Sequence, residues 1–127
     1  MDDLAVVKGF YEAFIAGDLA GCIERLDPDL EIDEPAGLPY GGHYKGIEAF
    51  QQLAGAMLAG YEFTLLEWSV HDAGEFVVGR LLGRFTSRAN GRSLEMPVVE
   101  HSHLTDGRIS RIDVYYKDTR AFVDTVG

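Results

Sequence analysis

The sequence is short of several things at once. It has one cysteine, Cys22, in 127 residues, so an internal disulfide is impossible and a cysteine-rich metal site is excluded. A lone thiol fits a reducing compartment, and a cytoplasmic setting is the expectation. Basic residues are scarce: 11 Lys and Arg stand against 21 Asp and Glu, a net charge of −10. Nucleic acid and anionic membranes are held by clustered cations, and no stretch of this chain supplies them, so neither is an expected partner. No apolar run approaches the ~20 residues of a membrane-spanning helix. The opening Met1-Asp2-Asp3 is acidic where a secretion signal is basic. Repeats, linkers and low-complexity segments are missing too. What is present is an ordinary globular composition, 46% hydrophobic and 25% charged, at a length that suits one domain over residues 1–127.

The first half has helical periodicity. Leu4, Val7, Phe10, Tyr11 and Phe14 recur at threes and fours over 3–16, which makes one apolar helix face. Gly17-Asp18 ends that helix, with Asp18 placed to cap a second, short one whose face is Leu19, Cys22, Ile23 and Leu26. Cys22 there is small core filler. Asp27-Pro28 stops it, and residues 29–34 alternate with period two as a short strand. Pro35 to Tyr44 has the composition of a loop. A third helix spans about 46–59, with Ile47, Phe50, Leu53, Ala54 and Met57 on one side. Four strand-like runs follow, at about 61–71, 76–88, 93–104 and 108–116, punctuated by Asp72-Ala-Gly-Glu75, Asn90-Gly91 and Thr105-Asp106-Gly107. Helices first and long strands later predict an α+β fold: three N-terminal helices packed on one face of a curved antiparallel sheet.

The turns allow a register to be set. A two-residue Asn90-Gly91 turn opposes Glu100 to Leu81, and a three-residue loop at 105–107 opposes Glu100 to Ile112. Opposed residues share a face. One face then collects Val77, Gly79, Leu81, Gly83, Phe85, Met96, Val98, Glu100, Ile112, Val114 and Tyr116; the other collects Val78, Arg80, Leu82, Val99, His101, His103, Arg111, Asp113 and Tyr115. The first is the apolar one and should lie under the helices. Glu100 is its only carboxylate. Glu34 follows Leu30 and Ile32 inward by the same parity, while Glu31 and Asp33 point outward. Two inward carboxyls facing one apolar cavity suit acid–base chemistry, because burial raises their pKa toward neutrality. The bland alternatives leave Glu34 at a loop edge in solvent and Glu100 as a buried acid tied to a tyrosine hydroxyl or an arginine.

Other motifs carry less. His101 and His103 have a spacing that metal sites use, but they share the outer face with Arg80 and Arg111, so no metal is expected. His43 and His71 are expected in solvent. There is no phosphate-binding glycine loop and no Gly-x-Ser-x-Gly elbow, and no cofactor is expected. Val78, Leu82, Val99 and Tyr115 make the outer sheet face too apolar for open solvent, which predicts a homodimer through that convex face.

The order of these elements, with Ala16-Gly17-Asp18-Leu19, Asp33-Glu34-Pro35-Ala36-Gly37, Pro39-Tyr40-Gly41-Gly42-His43-Tyr44-Lys45-Gly46, and Val99-Glu100-His101 before Asp106-Gly107-Arg108-Ile109, resembles the nuclear transport factor 2-like (cystatin-like) superfamily. The likeness is to its SnoaL-like and ketosteroid-isomerase-like members and covers nearly the whole chain. It implies a single SnoaL-like domain whose sheet curls into a cone around an apolar pocket. Phe10, Tyr11, Phe14, Met57, Trp68, Leu81, Met96, Ile112 and Tyr116 would line that pocket. In ketosteroid isomerases the base is an acid immediately before a proline, which Glu34 matches, and a second, uncharged acid matches Glu100. Their helix-1 tyrosine falls on Phe10, which has no hydroxyl; Tyr11 lies about 100° further round the helix. SnoaL-like polyketide cyclases use one acid/base carboxylate and no cofactor. The resemblance thus implies a cofactor-independent isomerase or cyclase acting on a small apolar carbonyl compound, steroid- or polyketide-like. Glu34 would be the base and the first to ionise, and Glu100 a neutral hydrogen-bond donor. Tyr116 would be a helper at the pocket end. An epoxide hydrolase, which needs an inward Asp–Arg–Asp set, ranks lower because Arg111 and Asp113 face outward. A non-catalytic small-molecule binder and a dimeric interaction module of the same fold are the alternatives.

Overall fold

A computed structural model describes residues 2–127; Met1, part of the acidic opening noted above, lies outside them. The first helix, α1 (Asp3–Ile15), starts where the Asp2 carboxylate accepts from the Ala5 N–H. It ends at Gly17, whose φ of +70° takes the chain into the left-handed turn. Asp18 caps α2 (Leu19–Glu24) by accepting from Gly21 N–H. Then come β1 (Leu26–Glu34), β2 (Gly42–Lys45), α3 (Ile47–Gly60), β3 (Tyr61–Asp72), β4 (Val77–Ser87), β5 (Ser93–Thr105), β6 (Arg108–Tyr116) and α4 (Thr119–Val126). The class is α+β, as the sequence predicts. The strands form one sheet in the order β2-β1-β6-β5-β4-β3.

The differences from the sequence reading have local causes. Leu26, expected on the second helix, is the first residue of β1 and pairs with Ile109 of β6. That pairing is parallel, so the sheet is not wholly antiparallel. Gly42–Lys45, expected as loop, pairs with Glu31–Glu34 as an edge strand. The fourth helix, α4, was not anticipated. It is only eight residues long, yet Asp118 caps it at Ala121 N–H and Phe122 and Val126 are fully buried beneath it.

Both hairpin registers are two residues from those expected. Ser87 and Arg92, not Ala89 and Arg92, close the β4–β5 turn, because the Ser87 hydroxyl accepts from the N–H groups of Ala89 and Asn90 and widens the loop. Glu100 therefore opposes Gly79, not Leu81. At β5–β6 the turn is the two residues Asp106 and Gly107, both with positive φ. A bulge at Ser110 restores the parity, which turns Ile109 into the core and opposes Glu100 to Val114, not Ile112. A shift of two keeps the side chains beyond the bulge on their expected face, while between the turn and the bulge the shift is one and Ile109 changes face. Val77, Phe85, Met96, Val98, Ile112 and Val114 are all buried, while Arg80, Arg84 and Tyr115 are exposed. A second bulge, at Leu66, switches the inward set of β3 from Tyr61, Phe63 and Leu65 to Trp68 and Val70.

Candidate active site

The site is a row across the concave face of the sheet. Glu100, in the middle of β5, has Gly79 on one side and Val114 on the other. Over Gly79 lies the phenol of Tyr11, reaching down from α1. Its hydroxyl donates to Glu100 Oε1 at 2.7 Å. A Cβ at Gly79 would collide with that hydroxyl, so the absent side chain makes room for Tyr11. Tyr11 is 3% exposed and leans on Trp68, ring centroids 5.7 Å apart. Phe10 and Tyr11 both face inward, and the hydroxyl of the second is committed to Glu100.

Glu34 ends β1. Asp33 pairs with Asp113, so Glu34 lies beside Val114, and Val114 separates it from Glu100. Two strand spacings put the Cα atoms of the two acids roughly 10 Å apart, with their side chains converging on one cavity. Glu34 Oε1 is buried with no hydrogen-bond partner among the described residues. Burial, and then the nearby Glu100, push the Glu34 carboxyl up to about 8. Glu100 is raised as well, by burial, with the Tyr11 hydrogen bond opposing the rise. The expectation that Glu34, nearer water, ionises first does not follow from this geometry, since the stabilising donor sits on Glu100. Tyr11 is itself pushed well above the ordinary tyrosine range by burial and by Glu100, so it stays a hydroxyl.

The cavity holds about 100 Å³ between α1, α3 and the sheet. Of the residues expected around it, Phe10, Tyr11, Phe14, Met57, Leu81, Ile112 and Tyr116 line it together with Glu34 and Glu100. Trp68 and Met96 do not. Trp68 follows the β3 bulge and packs behind Tyr11, while Met96 is buried opposite Gly83. Sequence reasoning left out Phe50 and Leu53 of α3, and Phe63 and Leu65 ahead of the bulge. The α3 periodicity pointed to the first two. A single unpaired residue in β3 hid the others.

A second polar feature also went unrecognised. The Tyr40 and Tyr116 hydroxyls lie 2.5 Å apart, enclosed by the rings of Tyr61, Phe85 and Phe122. Tyr116 lines the cavity and Tyr40 stands behind it. On the outer face, Arg111 pairs with Asp33 and Asp113, and His43 Nδ1 lies 2.6 Å from Asp33 Oδ1. His43 is therefore a member of an ion cluster on an edge strand, not a free loop residue. This Asp–Arg–Asp set faces away from the cavity, as the sheet parity predicts. Among the described residues no three His, Cys, Asp or Glu side chains converge as a metal site, and no helix is long and apolar enough to cross a membrane.

Comparison with known proteins agrees with this fold. A SnoaL-like domain model matches residues 7–112. No curated protein matches the chain. Among solved structures, a nuclear transport factor 2-like protein of unknown function from Burkholderia pseudomallei is 27% identical, with a TM-score of 0.89, over 99% of this chain and 98% of that one. One of the same fold from Burkholderia thailandensis is 24% identical with a TM-score of 0.91, covering 98% and 96%. A candidate polyketide cyclase from Pseudomonas putida is 23% identical with a TM-score of 0.82, covering 100% and 99%.

Proposed function

This chain belongs to the SnoaL-like domain family, and from that premise we propose that it is a cofactor-independent acid–base catalyst, of isomerase or cyclase type, acting on a small, largely apolar carbonyl compound. The observation that carries the reading is the pair of buried carboxyl groups, both with raised pKa, on one apolar cavity. The family resemblance of the Pseudomonas putida neighbour, a candidate polyketide cyclase, supports the cyclase alternative within it.

In this reading the reacting microstate is the one that keeps the shared proton on Glu100, and Glu34, ionised in that microstate, removes a proton from the carbon next to the carbonyl. Its unpartnered Oε1 is a base with no hydrogen bond to break first. Glu100, protonated, donates to the developing enolate oxygen. Its Oε1 already accepts from Tyr11, which leaves the other oxygen and its proton for the substrate. The working state therefore holds one proton between the two acids, and they titrate as a unit. Activity rises as the first proton leaves and falls as the second leaves, a bell-shaped kcat/KM profile.

A cavity of about 100 Å³ is smaller than the roughly 150 Å³ that houses benzene. That favours compact substrates over steroids. The second reading is a small-molecule binder of the same fold without chemistry. One experiment separates the two. A thermal-shift screen of small enones and diketones identifies a ligand, since binding to the native state raises its stability. Glu34→Gln should then lower turnover about 10²–10⁴-fold with affinity nearly unchanged. Full turnover in Glu34→Gln removes Glu34 as the base; ligand binding without turnover in the wild-type protein supports the binder.

A further inference from the structure

The sheet has a gap beside the site. β1 and β6 pair only as far as Asp33 and Asp113. Pro35 follows Glu34 and brings no N–H to a ladder. Its carbonyl accepts from Leu38 N–H, which turns the chain away. Beyond Asp113, β6 has a strand on one side only among the described residues: Val114, Tyr115 and Tyr116 pair with Glu100, Val99 and Val98 of β5. A cleft of about 340 Å³ occupies the other side, against the ~10–15 Å³ that one water molecule needs.

The lining of this cleft shows that it cuts into the sheet. Asp33, Asp113 and Tyr115 belong to the outer face, and Glu34, Val114 and Tyr116 to the inner one. A depression over an unbroken sheet meets one parity alone, because side chains alternate. Glu34, Val114 and Tyr116 also line the inner cavity, so these three are the wall between cavity and cleft. Val114 is 6% exposed, and the Tyr116 ring is held by Tyr40, Phe85 and Phe122. Glu34 is different: the residue is only partly buried, yet its Oε1 is sealed without a partner. Around it stand Glu100 on β5, Tyr116 on β6, Tyr40 in the loop after β1 and Tyr44 on β2, all within reach of its charge. None of these hydrogen-bonds that oxygen. Tyr11 of α1 is committed to Glu100. In the cleft, the charges of Asp33 and Asp113 are offset by Arg111.

The β3 side of the cavity is unlike this. Its partly exposed lining includes Phe14 of α1, Met57 of α3, and Phe63 and Leu65 of β3, an apolar mouth that gives water no partners. An ionised carboxylate without a hydrogen-bond partner needs water, and the cleft is the side that can supply it. We propose that the cleft between β1 and β6 is a second entrance to the site: water and protons reach Glu34 through the sheet from its outer side, while the apolar mouth between α1, α3 and β3 admits the ligand. A ligand in the cavity then leaves Glu34 in exchange with bulk solvent. Its value for turnover deepens the acid–base reading above and rests on it; the route itself rests on the gap.

The test plugs the cleft after folding. Thr119, the first residue of α4, lines it, and Thr119→Cys leaves the Asp118 cap in place. Benzyl methanethiosulfonate labels the introduced thiol and spares Cys22, which is 1% exposed. In a Glu100→Gln background Glu34 titrates alone, and carbon-13 NMR of its carboxyl reads the acid dissociation constant. The label should lower that constant about tenfold, because it removes the water that solvates the charged form. Ala54→Leu, which narrows the apolar mouth, should leave the constant unchanged. The comparison is between labelled and unlabelled states of one folded variant, so a folding defect does not enter it. An introduced thiol that the reagent cannot reach, as under a covering partner copy, overturns the proposal. So does a constant that the label leaves as it was, or an equal fall in Ala54→Leu. Turnover plays no part in this readout. If Glu34→Gln keeps full turnover while the label lowers the constant, the entrance stands and the acid–base reading falls.

Discussion

Gly79 and Tyr11 are complementary: one lacks the atoms that the other needs the space for. Gly79→Ala should push the phenol off Glu100, with a loss of about 1–3 kcal/mol of stability in denaturant unfolding. Tyr11→Phe gives the same loss of the hydrogen bond without the clash. Both variants should raise the pKa of Glu100, measurable by carbon-13 NMR of its carboxyl, because the hydrogen bond that opposes the burial effect is gone. Glu34 makes the opposite kind of prediction. Its folded pKa, about 8, is above its value in an unfolded chain, about 4.5. Between those values the unfolded state has released the proton and the folded state retains it, so stability falls as pH rises. The contribution is whole below pH 4.5 and lost by about pH 8. Glu34→Gln, which cannot ionise, should flatten that part of the stability–pH curve, so that the variant gains on the wild-type protein between pH 5 and 8 in urea unfolding.

At the scale of elements, small irregularities decide which residues meet. One bulge at Leu66 brings Phe63 and Leu65 to the cavity and sends Trp68 behind Tyr11. Another at Ser110 buries Ile109 and keeps Val114 between the two acids. The eight residues of α4 seat Phe122 against Tyr40, Tyr61, Phe85 and Tyr116. Its side chain is 0% exposed. Phe122→Ala should therefore cost about 3–5 kcal/mol, the range for deleting a buried aromatic ring. It should also disorder the Tyr40–Tyr116 pair, seen as loss of near-ultraviolet tyrosine dichroism before the global transition. None of these three devices has a strong signature in the chain. A bulge is one residue among a dozen that otherwise alternate, and a two-turn helix has too few apolar positions to show a period.

For the molecule as a whole, the outer sheet face is where assembly is to be sought. Tyr115 is 53% exposed there, its ring tilted against His101, which in turn stacks on Phe76. The expected homodimer through this face is a proposal with a direct check. Sedimentation at micromolar concentration should give a dimer, and Val99→Arg should shift it to monomer, since a buried unpaired charge at the centre of such an interface is strongly unfavourable. A wild-type monomer ends the dimer proposal.

The sequence by itself determined the class, the element order and which face of each long strand is buried. Periodicities of 3.6 and 2 encode burial locally, and the shift of two residues in both hairpins left that parity intact beyond the Ser110 bulge. It also singled out Glu34 and Glu100, because a carboxylate on an apolar stripe is anomalous wherever the strands sit. The tertiary structure alone decided their neighbours. Register depends on how a turn satisfies its own N–H groups, as Ser87 does, and on bulges that local pattern does not show. The pairing of Tyr11 with Glu100, 89 residues apart in the chain, the meeting of Tyr40 with Tyr116, and the unpartnered oxygen of Glu34 depend on how helices and sheet close over one another. Such contacts arise from packing between distant segments, and no local pattern in the chain specifies them.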